Sequence, residues 1–64
     1  MPEVYVYAVE GRSIDQKRAL VKDVTDAVVR HFKVKPEAVV VQIVESSKES
    51  KAKGGFLFSD RPPG

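Results

Sequence analysis

The sequence predicts an α/β (α+β) protein: a single β-α-β unit with parallel strands and a short C-terminal β-hairpin, completed by oligomerisation. Three features carry this reading. Two near-continuous apolar runs, Val4–Val9 and Val39–Val44, have the length and β-branched content of covered strands. Between them lies a capped, helically periodic stretch of about five turns. Finally, 64 residues without a cysteine and with a single histidine lack the disulfide or metal staples that small chains use.

In the first run, Val4 to Val9 are all apolar or tyrosine, which reads as a strand covered on both faces. Gly11 ends it. Ser13 and Gln16 have capping-box spacing, each side chain satisfying the other residue's backbone N–H, so a helix begins at Ile14. Leu20, Val24, Ala27, Val28 and Phe32 recur at three- and four-residue steps as one buried stripe. Lys33-Val34-Lys35-Pro36 stops the helix, since a residue preceding proline avoids helical angles and basic residues suit a helix C-terminus. Pro36-Glu37-Ala38 leaves room for one further turn.

The second strand spans Val39–Val44 and ends at Glu45. Joined through a helix, the strands run parallel with a right-handed crossover. Residues 46–53 read as a polar loop, Gly54-Gly55 as a turn, and Phe56-Leu57-Phe58 as a short apolar strand suited to a neighbour's sheet edge. Residues 58–64 read as a loosely ordered tail. No internal repeat is visible, and 1–64 is read as a single domain.

Composition narrows the classes. No apolar run approaches the ~20 residues that span a bilayer, and the N-terminus lacks a signal peptide's pattern, so a cytoplasmic protein without a membrane partner is expected. The net charge of +2 comes from interspersed charges rather than a basic block, and a nucleic-acid partner is not expected. Two strands and one helix nevertheless leave raw sheet edges and an uncovered face, which partner chains must cover.

The chemistry-bearing groups lie at the two ends of the first strand. If Met1 is removed, as a small second residue permits, Pro2 becomes a secondary amine on a rigid ring. An α-amine titrates near ~8, and desolvation or a nearby guanidinium lowers that value, leaving a neutral base at physiological pH. At the far end, Glu10-Gly11-Arg12-Ser13 opens the helix, so Arg12 sits where backbone N–H groups and the helix dipole favour an anion. About ten residues at ~3.3 Å each separate Pro2 from Arg12 by roughly 25 to 30 Å. If the two form one site, Arg12 must come from another subunit. His31 has no acidic or ligand-spaced partners and is given no role, and Lys48, Lys51 and Lys53 read first as a solvated loop.

With these residues in place, the chain resembles the 4-oxalocrotonate tautomerase family. The likeness rests on Pro2 after Met1, on Glu10-Gly11-Arg12-Ser13 followed by Gln16-Lys17, on the β-α-β spacing, on Val39 to Glu45 and on Gly54-Gly55. It implies that the mature Pro2 amine is a general acid/base, that Arg12 from a neighbouring subunit binds a substrate carboxylate, and that the assembly is a homohexamer, a trimer of dimers. It also implies a small-molecule carboxylate substrate, a role in aromatic compound catabolism, and no metal or organic cofactor. Two positions depart from the family pattern. Its second arginine aligns with Val40 and its active-site aromatic with Lys51, so the substrate-binding set read onto this chain is Arg12, Val40 and Lys51. Lys51, Lys53 or Arg61 is the candidate replacement for the missing charge. The resulting expectation is a tautomerase interconverting enol and keto forms of a small unsaturated 2-hydroxy or 2-oxo acid. Alternatives are a proline-dependent hydratase or dehalogenase, or a non-enzymatic oligomeric binding module.

Overall fold

A computed structural model describes residues 1–60. Its elements are β1 (Glu3–Val9), α1 (Ile14–Phe32), a 3₁₀ turn (Pro36–Ala38), β2 (Val40–Ser46), β3 (Ala52–Lys53), β4 (Phe56–Leu57) and a second 3₁₀ turn (Phe58–Asp60). β1 and β2 pair in parallel from Glu3↔Val40 to Val9↔Ser46, and β3 and β4 form a separate antiparallel pair. The expected β-α-β unit with a short C-terminal hairpin is therefore present.

The helix starts at the predicted residue for the predicted reason. Ser13 Oγ accepts from the Gln16 backbone N–H at 3.1 Å, and Gln16 Oε1 accepts from the Ser13 N–H at 2.9 Å. At the other end Lys33 takes a left-handed conformation (φ 58°), and its N–H donates to the Val29 carbonyl. Pro36–Ala38 then form the further turn.

Several boundaries differ from the sequence reading. Val39 does not open β2; its N–H closes the 3₁₀ turn on the Pro36 carbonyl at 3.1 Å, and β2 runs from Val40 through Ser46. The loop expected over 46–53 thus gives Ser46 to β2, and it also gives Ala52–Lys53 to β3. β4 stops at Leu57, not Phe58. The Phe58 N–H donates to the Lys51 carbonyl at 2.8 Å and the Ser59 N–H to the Lys48 carbonyl at 3.0 Å, bending the chain into the final turn. The expected tail over 58–64 accordingly begins as a hydrogen-bonded turn through Asp60, and 61–64 lie outside the described residues.

Side chains alternate across the two-stranded sheet. Val4, Val6 and Ala8 of β1 with Val41 and Ile43 of β2 are half-buried on one face, which α1 covers. Half-buried on α1 are Lys17, Val21, Val24, Thr25, Ala27, Val28 and Val29, among which Lys17, Val21, Val24 and Val28 form a line stepping by four, three and four residues. Of the predicted stripe Val24, Ala27 and Val28 are half-buried, Val21 was missed, and Leu20 and Phe32 remain exposed. On the opposite sheet face Tyr5, Tyr7, Val40 and Gln42 are exposed, with Tyr7 at 73%. The strands expected to be covered on both faces are thus covered on one within a single chain.

No described residue is buried. The radius of gyration is 15.1 Å, against about 11 Å for a compact chain of this length. Burial of apolar surface is the main term opposing chain entropy, and here it is incomplete within one chain. Among the described residues no helix is long and apolar enough to cross a membrane.

Candidate active site

Pro2 lies immediately before β1 and is fixed by its own backbone. Its carbonyl accepts from the Val40 N–H at 3.0 Å, adding one bond to the parallel ladder at the start of both strands. Pro2 and Val40 are thereby neighbours across the sheet, and Glu3 is the register partner of Val40. Pro2 is half-buried, while Met1 is 86% exposed. The Tyr5 hydroxyl donates to Glu3 Oε1 at 2.9 Å close to this end. With Met1 attached, the Pro2 nitrogen is an amide without basicity. Its removal creates the amine.

Arg12 is at the other end of β1. Gly11 takes φ +124°, a conformation that L side chains rarely adopt, and this lets the chain leave the strand and enter the Ser13 cap directly. The Arg12 side chain is exposed and has no hydrogen-bond or ion-pair partner among the described residues. It lines a cavity of about 220 Å³ between the N-terminal half of α1 and the covered sheet face, together with Val6, Ala8, Gln16, Lys17, Ile43 and Glu45 among others. Pro2 does not line this cavity. All seven residues of β1 intervene, a span of more than about 20 Å at strand rise, so one chain does not bring Pro2 and Arg12 together.

Lys51 is half-buried just before β3, and its carbonyl anchors the Phe58 N–H. Lys53 is exposed in β3 beside the Gly54-Gly55 turn, whose φ values of 62° and 87° require glycine-like freedom. Arg61 lies outside the described residues. His31 is exposed in the last turn of α1, and no group of metal-ligating side chains occurs among the described residues.

The family described as tautomerase enzyme matches residues 2–61. The chain belongs to that family. A probable tautomerase of Bradyrhizobium diazoefficiens is 43% identical over 61 residues, covering 95% of this chain and 91% of the relative. Among solved structures, a 4-oxalocrotonate tautomerase homologue, TTHB242, superposes with a TM-score of 0.92 at 35% identity, covering 98% of this chain and 100% of that one. A heterohexamer 4-oxalocrotonate tautomerase from Chloroflexus aurantiacus J-10-fl superposes with a TM-score of 0.85 at 27% identity, covering 94% and 97%. The tautomerase fold and an isomerase-type enzyme are thus common ground between this chain and its relatives.

One constellation in this tautomerase-family chain was missed from sequence. Lys17 Nζ and Glu45 Oε1 form an ion pair at 2.6 Å across the helix–sheet seam, with side-chain exposures of 27% and 32%. The other ion pairs among the described residues, Arg18–Asp15 and Lys22–Asp26, lie within α1 and are more exposed. A signal existed in the sequence. Lys17 is in phase with Val21, Val24 and Val28, and Glu45 is in phase with Val41 and Ile43 on the covered sheet face. A lone charge on each of two facing apolar stripes calls for a partner.

Proposed function

We propose that the chain is a tautomerase whose site is shared between subunits, with the Pro2 amine of one chain and Arg12 of another acting on a small unsaturated 2-hydroxy or 2-oxo acid. The single observation that carries this reading is the placement of the two groups at opposite ends of β1, in a chain whose described residues form no buried core. A base and an anion clamp so separated act on one small molecule only across a subunit contact. Membership of the tautomerase family supplies the reaction class.

After Met1 is removed, the neutral Pro2 nitrogen takes the hydroxyl proton of the enol. The oxygen's electron pair forms the carbonyl, the carbon–carbon double bond shifts, and the proline ammonium delivers a proton to the carbon that becomes saturated. Atoms and charge balance without a cofactor. Arg12 holds a carboxylate by a charge-assisted, bidentate-capable contact that fixes the acid's orientation during both transfers. Val40, beside Pro2, leaves that end of the sheet without the guanidinium carried by the family pattern, so turnover of a dicarboxylate enol is weaker than in members that carry it.

The assembly that unites the two groups is read as a hexamer, in keeping with the heterohexamer among the relatives. Closed symmetric packing covers Tyr5, Tyr7 and Val40 on the open face and takes up the strand edges. Ketonisation of 2-hydroxymuconate and of phenylenolpyruvate, followed with native protein and with protein whose N-terminus is chemically blocked, tests the proposal. Native protein is expected to be active and blocked protein reduced by about 100-fold or more, the lower end of what general acid–base catalysis contributes. Equal rates for the two preparations would overturn the proline mechanism. Intact mass of the native preparation is expected to show Met1 absent from the active form, and a retained Met1 in active protein would overturn the role of Pro2.

A further inference from the structure

Lys17 is a half-buried cation on the sheet-facing line of α1, where the steps from Val28, Val24 and Val21 call for an apolar residue. Its ammonium pairs with Glu45 Oε1 at 2.6 Å, and both side chains line the cavity that Arg12 also lines. Glu45 extends from β2 on the covered sheet face. It is the acidic side chain lining that cavity, while Asp15 on α1 is held by Arg18 at 2.9 Å. Without Lys17, the unpaired Glu45 carboxylate and the unpartnered Arg12 guanidinium share the walls of one small cavity. Opposite charges so placed attract, and capture by Glu45 would fold Arg12 inward and cancel its charge.

We infer that Lys17 is a positioning residue: by occupying Glu45, it keeps the Arg12 guanidinium free and outward-facing for an anion presented by another subunit. The inference rests on the proposed role of Arg12. Lys17 need not touch the substrate. Its effect passes through Glu45, so the effect disappears when Glu45 carries no charge. A Lys17 that held the fold alone, or that bound the anion directly, would not behave in this way.

The test measures binding of cis,cis-muconate, an unreactive dicarboxylate, by calorimetry to the assembled native protein and to Lys17→Met, Glu45→Gln and the double variant. Steady-state kinetics on an enol acid are measured in parallel. Lys17→Met is expected to weaken muconate binding by about fivefold, the scale of a partly exposed ion pair, and to raise KM rather than lower kcat. The double variant is expected to return Kd to within about twofold of native, because a neutral residue 45 cannot capture Arg12. Glu45→Gln alone is expected to bind muconate at least as tightly as native protein, and this arm holds even if Lys17→Met fails to assemble. The inference is overturned if Lys17→Met binds like native protein, if the double variant is as weak as Lys17→Met, if Glu45→Gln loses binding, or if native protein binds no muconate. Muconate binding that follows the expected pattern in a protein without turnover would sink the tautomerase reading and leave the inference about Lys17 standing.

Discussion

Tyr5 donates its hydroxyl hydrogen to Glu3 Oε1 at 2.9 Å, and this hydrogen bond, reinforced by the carboxylate's charge, raises the phenol's pKa above 10.0. Because the folded-state value is the higher one, the stabilisation is fully present below pH 10.0 and is lost as pH rises through the raised value. Ultraviolet titration of Tyr5 in a Tyr7→Phe background is expected to show a midpoint above 10.0 that falls in Glu3→Gln. A midpoint that ignores the substitution would break the assignment. Legibility at this scale was uneven. Pro2 and Arg12, the two residues of the proposed site, stand out locally, one by following Met1 and the other by preceding a helix entry. The Lys17–Glu45 pair joins residues 28 apart in sequence and emerges only when the phase of α1 is laid against the phase of β2. Leu20 and Phe32 fit the helical period yet stay exposed in one chain, because periodicity assigns a face without saying what covers it.

At the scale of elements, α1 is held at both ends by local chemistry: a reciprocal Ser13–Gln16 box and a left-handed Lys33 cap. The box is also what places Arg12 one residue before the Ser13 cap. Replacing Ser13 by alanine removes the acceptor for the Gln16 N–H and is expected to cost about 1 kcal/mol in denaturant unfolding. A loss near zero would mean the cap is idle. The Ser13–Gln16 box was legible because its partners are three residues apart; the helix stop was read from Pro36 and the basic residues around it, and the left-handed Lys33 cap was not anticipated. Strand limits were less so. Val39 is as apolar as Val40, but the proline-initiated turn takes its N–H and defers β2 by one residue. Ala52–Lys53 have no strand-like composition and become β3 only because Gly54 and Gly55, with φ of 62° and 87°, fold Phe56–Leu57 back onto them.

For the whole molecule, the decisive fact is that no described residue is buried, along a 44 Å long axis, with Tyr7 and Phe56 respectively 73% and 64% exposed. Composition anticipated this, since two strands and one helix without cysteine cannot enclose a core. What it could not specify is which faces meet, because that depends on surfaces contributed by other copies. The same arrangement makes the proposed activity a property of the assembly. A chain with a blocked Pro2 keeps Arg12, and an Arg12→Ala chain keeps its free proline, so neither assembles a complete site alone. Mixing the two after dissociation and reassembly is therefore the most direct measurement. Activity is expected to return, in about a quarter of the sites if chains assort at random in a closed assembly. If the mixture stays as inactive as its parents while both chains are shown to co-assemble, Pro2 and Arg12 do not share a site between subunits and the central claim fails.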